Sequence, residues 1–258
     1  MNHSDLTFPR LEDPPPPRER PSPLPGVTWG IRDIILGVFA ALAVFFVLGA
    51  AIIGGASAAF DDDSFETSLA EAVAIAVLDI VLVVTVLAVV ARKGAGLAEL
   101  GFRLPRWTWA RTLGYIVLAY FAAIGLVNIY GIAIDVFGLD QLEPAQQLPD
   151  DFYDHDVVVA LTGIAIVFMA PVAEEVFFRG FIFGGLRRYL NLPIAGLCSG
   201  VLFAFAHGDP GLIAPFAGVG LVLAFIYEKS GSLWAPIGVH FIFNTLSFSL
   251  LLLFPELR

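Results

Sequence analysis

Three hydrophobic stretches in the C-terminal half of the chain carry polar side chains whose types and spacing could do chemistry. Residues 174–179 read Glu-Glu-Val-Phe-Phe-Arg, His207 ends an apolar run, and His240 and Asn244 lie four positions apart. Carboxylates and imidazoles can take a proton from water, and imidazole and amide N–H groups can donate hydrogen bonds to an oxyanion. This combination predicts the addition of water to a carbonyl group, as in peptide or ester hydrolysis.

The two adjacent glutamates are expected to have different roles. Arg179 follows Glu175 by four positions, so their side chains share a helix face. It follows Glu174 by five positions, which is about 140° around a helix of 3.6 residues per turn. We therefore expect Glu175 and Arg179 to form a supporting ion pair and Glu174 to keep a free carboxylate. The alternative is a purely structural set of interhelical ion pairs and hydrogen bonds.

The segments that contain these residues are apolar enough to lie inside a membrane. The chain has 258 residues, of which 58% are hydrophobic and only 15% charged, and its mean hydropathy is +0.82. A charge in hydrocarbon costs several kcal/mol, so acids inside an apolar span are candidates for a functional site. We expect all six polar residues, which include Glu174 and His207, to be buried. Seven hydrophobic segments are predicted over about 31–59, 69–91, 112–138, 157–186, 192–207, 212–227 and 233–254.

These segments predict an all-α fold, a polytopic transmembrane bundle of seven helices. The count would become eight if the fourth segment broke at Pro171. We divide the chain into a disordered, proline-rich cytoplasmic tail (1–28), N-terminal transmembrane helices (29–150) and a catalytic transmembrane core (151–258). The fourth segment is about 45 Å long at 1.5 Å per residue, so it must tilt, break or protrude from the bilayer.

The charges of the connecting segments predict the orientation of the chain. The tail and the segment around Arg92–Arg111 are basic, whereas the segments after the first and third spans are acidic. Basic loops stay in the cytoplasm, so the N-terminus is expected to be cytoplasmic and seven spans would put the C-terminus outside. The net charge of −10 argues against nucleic acid as a partner. Because lysine is rare and Ala, Gly and Val are common, we expect a prokaryotic plasma membrane protein.

The motifs as a set resemble the CPBP family, the type II CAAX prenyl endopeptidases and their bacterial and archaeal relatives, also called Abi proteins. The resemblance is carried by Glu-Glu-x-x-x-Arg (174–179), Phe-x-x-x-His (203–207) and His-x-x-x-Asn (240–244), which occur in this order. Residues 100–103 and 231–240 are also similar to that family. The resemblance is close over about residues 160–250 and loose before them.

This resemblance implies an intramembrane endopeptidase acting on a peptide or membrane-protein substrate in the lipid bilayer. By position, Glu174 would be the general base and His207 would help to hold the water. His240 and Asn244 would form the oxyanion hole. No cofactor is favoured, because the His-Glu-x-x-His signature is absent. The alternative is a zinc-dependent metalloprotease with Glu174, His207 and His240 as ligands.

The sequence is also compatible with two other functions, and one geometric difficulty concerns the depth of the site residues. Ser199 in Gly-Leu-Cys-Ser-Gly could be the nucleophile of a serine protease. A transporter, immunity or scaffolding protein could use the same polar cluster without catalysis. The difficulty is depth, because His207 ends its segment near the outer face, whereas Glu174 lies past the middle of its own. We expect the fold to bring both near the middle of the membrane.

Overall fold

The protein was analysed as a computed structural model, which describes residue 24 and residues 26–61, 64–144 and 150–254. Most of the predicted tail over 1–28 therefore lies outside the described residues. Over the described ranges the fold is all-α, as predicted, with seven main helices and short 3₁₀ turns at Asp140–Leu142, Asp150–Asp154 and Pro210–Leu212. The seven helices are α1 (Ile31–Ser57), α2 (Phe65–Arg92), α3 (Trp109–Phe137), α4 (Asp156–Leu186), α5 (Leu192–Ala206), α6 (Ile213–Ser230) and α7 (Trp234–Leu253).

Local sequence signals set where several helices begin and end. The side chains of Ser64, Thr108 and Asn191 accept hydrogen bonds from backbone N–H groups in the first turns of α2, α3 and α5. Gly138 and Gly231 end α3 and α6 in the left-handed conformation, with φ of 62° and 66°. These signals explain why the predicted segments and the observed helices agree to within a few residues at most ends.

Helix α4 continues through Pro171, so the eight-helix alternative is wrong. It spans 31 residues and contains two π-helical stretches, Ala165–Met169 and Glu175–Phe183. Pro171 follows the first of them. A wide turn changes the local hydrogen-bond pattern, which accommodates the missing N–H of proline without breaking the helix.

Six of the seven helices are long and apolar enough to cross a membrane, and α5 is the short one. The sixth apolar span is longer than predicted, because it begins in the 3₁₀ turn at Pro210 and ends at Ser230. Many large apolar side chains face outward, such as Phe39 at 67% and Ile129 at 69% exposure. Such a surface is stable in lipid and not in water. The protein is therefore an integral membrane protein.

Helix α5 ends inside the bundle because it is short. Its 15 residues span about 22 Å at 1.5 Å per residue, less than the ~30 Å of a hydrocarbon core. It crosses α6 at close range, since a Cβ added to Gly200 would lie 2.5 Å from the backbone oxygen of Ala217. This close packing fixes the end of α5, and with it His207, against α6.

The main hydrophobic core packs the first two helices and the residues just before them against α4. Trp29, Ile34 and Val86 pack in one cluster with Phe177 and Phe181 of α4. The indole N–H of Trp29 donates to the backbone oxygen of Phe181 at 2.9 Å. The core thus crosses the predicted boundary between 29–150 and 151–258, and this division of the chain stays a prediction.

Two segments singled out in the sequence contact each other and fix the start of α7. The backbone N–H of Leu233 donates to the oxygen of Gly101 at 2.9 Å. The side chain of Arg103 donates to the backbone oxygen of Gly231 at 2.8 Å. This contact between distant loops sets the register with which α7 brings His240 into the bundle.

Candidate active site

Four of the predicted site residues line a single cavity of about 360 Å³, which we call the polar cavity. Glu174 comes from α4, His207 directly follows α5, and His240 and Asn244 come from α7. Glu174 and His207 thus line the same cavity. This was expected, although counting residues along each predicted span places the two at different depths. Most of the remaining lining is apolar, and it includes Ile75, Leu78, Phe203, Phe216, Val239 and Phe243.

Glu175 and Arg179 form the predicted ion pair beneath this cavity. Their side chains are fully buried, and Nη1 of Arg179 lies 2.9 Å from Oε1 of Glu175. The other end of the guanidinium donates to the backbone oxygen of Gly220 at 3.4 Å and lies 4.5 Å from the ring centre of Phe203. The positive charge therefore compensates Glu175 rather than facing the cavity.

His240 lies between the two glutamates. Its Nδ1 is 3.0 Å from Oε1 of Glu175, and its Nε2 is 3.8 Å from Oε2 of Glu174. The shared Oε1 of Glu175 already accepts from Arg179, so this carboxylate is an acceptor and Nδ1 of His240 is the donor. The edge of the ring bearing Nε2 is then directed to the side of Glu174, where chemistry is expected.

Asn244 is held by a backbone oxygen that the first wide turn of α4 presents. Its Nδ2 donates to the oxygen of Ile166 at 2.8 Å, and Ile166 lies within Ala165–Met169. An amide nitrogen has two hydrogens. One is used in this contact, which orients the side chain, and the other is available to a group in the cavity.

His207 has one ring nitrogen fixed and the other available. Its Nδ1 lies 2.9 Å from the backbone oxygen of Phe203. Because a carbonyl can only accept, Nδ1 is the donor, and in a neutral imidazole Nε2 is then an acceptor. The ring is packed edge-to-face against Phe203 and Phe216. This tautomer is suited to receive a hydrogen bond from water.

Burial separates the six residues into two groups, so the expectation that all are buried is only half right. Glu175, Arg179 and His240 are buried. Glu174, His207 and Asn244 are half-buried, because their side chains face the polar cavity rather than the packed core. Glu175 and Arg179 lie in the packed core, whereas His240 is buried but still lines the cavity with the half-buried group.

The described residues give no support to the zinc alternative. Zinc needs three side-chain donors directed at one point, and within the described ranges no three His, Cys, Asp or Glu side chains form such a group. The metalloprotease hypothesis built on Glu174, His207 and His240 is therefore not supported.

The serine alternative also lacks the required geometry. A serine nucleophile needs its hydroxyl bonded to a base. The Ser199 side chain is fully buried, and its hydroxyl donates to the backbone oxygen of Phe178 at 2.8 Å. Ser199 therefore ties α5 to α4 and does not face the polar cavity.

One cavity-lining acid was missed in the sequence. Asp79 lies in the middle of α2, is 4% exposed and lines the polar cavity together with Glu174. The same rule that singled out Glu174, an acid inside an apolar span, applies to Asp79. It was not predicted because it has no polar neighbour at helical spacing in the sequence and belongs to none of the three motifs.

Comparisons with known proteins agree with the resemblance on the region that carries this site. Residues 156–246 match the family model of the type II CAAX prenyl endopeptidase Rce1-like proteins. The chain is 30% identical over 133 residues to the putative membrane peptidase YdiL of Bacillus subtilis (strain 168). This alignment covers 51% of this chain and 53% of that protein. It is 29% identical over 151 residues to the membrane-embedded CAAX protease MroQ of Staphylococcus aureus (strain USA300).

These matches are partial in length. The second covers 55% of this chain and 61% of its relative, so the chain spans between half and two thirds of both curated relatives. No solved structure matches the chain significantly. The matched region contains all six predicted site residues on α4, α5 and α7. The segment from residue 156 to 246, which carries the site, is therefore similar to the Rce1-like type II CAAX prenyl endopeptidases.

Proposed function

We propose that the protein is an intramembrane endopeptidase that hydrolyses a peptide bond with a water activated by Glu174 and His207. The observation that carries this proposal is the polar cavity, in which a carboxylate, two imidazoles and an amide from three helices line one space of about 360 Å³. Proton acceptors and hydrogen-bond donors in one largely apolar cavity are the groups that hydrolysis of an amide requires.

Water activation is the first step of the proposed reaction. The carboxylate of Glu174 takes a proton from water, and Nε2 of His207 accepts the second O–H as a hydrogen bond. The water oxygen forms a bond to the carbonyl carbon, and the carbonyl oxygen becomes an oxyanion. When this intermediate collapses, the C–N bond breaks and the proton on Glu174 moves to the leaving nitrogen.

His240 and Asn244 stabilise the oxyanion in this proposal. The hydrogen of Asn244 that is not bonded to Ile166 would donate to it. Because Nδ1 of His240 donates to Glu175, its Nε2 carries a hydrogen only in the imidazolium form. The oxyanion role is therefore assigned to doubly protonated His240, with Glu175 and Arg179 as the ion pair that holds it in position.

The substrate is proposed to be a peptide or membrane-protein segment with apolar residues around the scissile bond. Ile75, Leu78, Phe216, Val239 and Phe243 line the cavity, and such a surface favours apolar groups over polar ones. The Staphylococcus relative is named as a CAAX protease, so a prenylated CAAX peptide belongs among the substrates to be tested on this chain.

The test is cleavage by purified protein in lipid vesicles, read by mass spectrometry of an apolar peptide library and a prenylated CAAX peptide. Glu174→Gln and His207→Ala should each lose at least about 100-fold in rate while keeping the fold. Glu66→Gln and His155→Ala are matched controls, because neither residue lines the polar cavity. Wild-type protein that cleaves nothing, or variants that cleave normally, would support the non-catalytic reading of the cluster.

The orientation of the chain is also a proposal. The basic segments around Arg92–Arg111 and Arg187–Arg188 are assigned to the cytoplasm, together with the N-terminus. Reporter fusions after Ser57, Arg92 and Phe137 should alternate between outside and inside. The reverse alternation would overturn this assignment and leave the proposed reaction unaffected.

A further inference from the structure

Asp79 of α2 is a buried acid that the proposed reaction does not use. Its side chain lines the polar cavity, and the residue is 4% exposed. Its Oδ2 has no hydrogen-bond partner within the described part of the chain, and the same is true of Oε2 of Glu174. A buried carboxyl oxygen without a partner is costly, so a ligand that supplies a partner would be favoured in this cavity.

The charges around the cavity are unbalanced. Asp79 and Glu174 are two acidic residues that line the same cavity. None of the described residues lining the cavity is a lysine or arginine. The one guanidinium nearby, that of Arg179, is bonded to Glu175 and to the backbone oxygen of Gly220. The imidazole of His240 directs Nδ1 to Glu175 and Nε2 to the side of Glu174, so no positive side chain among the described residues is paired with Asp79.

We propose that Asp79 binds a positive charge on the substrate, so that the preferred substrate is an apolar segment with a lysine, an arginine or a free amino group near the scissile bond. This inference rests on the proposed function. A cation beside Asp79 would pair with the unsatisfied carboxylate in surroundings of low dielectric constant, where the attraction is strong. A neutral substrate would leave the charge of that carboxylate uncompensated.

Helix geometry supports this assignment. Ile75, Leu78 and Asp79 are spaced by three and four positions, and all three line the cavity. One face of α2 therefore presents two apolar side chains and one carboxylate to the same space. A bound segment with apolar residues and one basic group would satisfy both features at once. Specificity would come from the charge of Asp79, which no neutral analogue can compensate.

The test compares pairs of peptides that differ only in one side chain near the cleaved bond. Lysine or arginine is replaced by norleucine or glutamine, and a free N-terminus is replaced by an acetylated one, which separates the three sources of positive charge. Wild-type protein in vesicles should cleave one charged peptide with a kcat/KM at least about tenfold above its neutral partner. Asp79→Asn should bring this ratio close to one, mainly through KM.

Two further variants separate binding from folding. Asp79→Glu keeps the charge and should retain a preference for the charged peptide. Asp135→Asn, which removes an exposed acid from α3, should leave the ratio unchanged. A role of Asp79 in stability alone would lower the cleavage of both peptides equally. Equal cleavage of charged and neutral peptides by wild-type protein, or a preference that survives Asp79→Asn, would overturn the proposal.

A binding measurement distinguishes failure of this inference from failure of the proposed function. Fluorescently labelled charged and neutral peptides are titrated into wild-type and Asp79→Asn protein in vesicles, without regard to cleavage. Tighter binding of the charged peptide that depends on Asp79 supports the inference even if no peptide is cleaved. Cleavage that depends on Glu174, combined with binding that ignores charge, supports the proposed function and rejects the role of Asp79.

Discussion

Nδ1 of His240 lies 3.0 Å from Oε1 of Glu175, although the two residues are 65 positions apart. The same carboxylate oxygen accepts from Arg179 at 2.9 Å. Glu175 therefore does more than compensate a buried guanidinium, because it also accepts from Nδ1 and so fixes the orientation of an imidazole that faces Glu174. The ion pair and the site of the proposed chemistry are parts of one hydrogen-bonded chain across α4 and α7.

The buried Glu175–Arg179 pair should show strong coupling in stability. Glu175→Gln or Arg179→Met alone leaves an uncompensated polar partner in the core, which we expect to cost about 3–5 kcal/mol. The double variant should cost clearly less than the sum of the two, because no charge is left unpaired. Reversible unfolding in mild detergent measures this cycle. Additive losses would contradict the pairing, and activity should stay low in the double variant because His240 loses its acceptor.

Asn244→Ala should affect both rate and stability. Loss of an oxyanion donor is expected to lower kcat by about 10²–10³-fold. Loss of the contact to the backbone oxygen of Ile166 should cost about 1–3 kcal/mol of stability. Peptide cleavage and thermal unfolding measure the two effects. Asn128→Ala is the matched control, since its amide contacts a backbone oxygen on an exposed face of α3. A full rate in Asn244→Ala would remove this residue from the mechanism.

Ser199→Ala should keep the peptidase activity. The hydroxyl of Ser199 donates to Phe178 at 2.8 Å in a fully buried position, so its loss should lower stability by about 1 kcal/mol. Cleavage rates of wild-type and variant protein, measured at equal folded fractions, test the serine alternative directly. A rate reduced by several orders of magnitude would revive that alternative.

Gly200→Ala should destabilise the bundle more than an alanine at an open glycine. An added Cβ at Gly200 would lie 2.5 Å from the backbone oxygen of Ala217 and 3.2 Å from the nitrogen of Leu221. Separating α5 from α6 to relieve this overlap should cost about 1–3 kcal/mol. Gly125→Ala on α3 is the control, because nothing lies within 4 Å of the added carbon. Equal melting temperatures for the two variants would refute the close crossing.

Metal chelation should leave peptide cleavage unchanged. Glu174, His207 and His240 share the polar cavity, but they do not form a donor group suited to a metal ion within the described residues. Incubation with a strong chelator, followed by metal analysis and a cleavage assay, measures this. Loss of activity that added zinc restores would show that a ligand set forms in the active enzyme.

The sequence by itself determined the elements and their local pairs. Stretches of about 20 apolar residues can satisfy their backbone groups in a bilayer only as helices, so the seven-helix fold followed from composition and length. The Glu175–Arg179 contact could also be predicted, because four positions on a helix bring two side chains together whatever surrounds them. Three motifs in a fixed order also identified the candidate site residues, which are Glu174, His207, His240 and Asn244.

Only the tertiary structure decided how these parts meet. The wide turns of α4, the shortness of α5 and the close crossing at Gly200 bring Glu174 and His207 into one cavity. None of this is encoded in the spacing of a single motif. The same holds for Asp79, whose helix joins the cavity only through packing of α2 against α4. Side chains far apart in sequence become partners when the bundle closes, because burial then forces each polar group to find one.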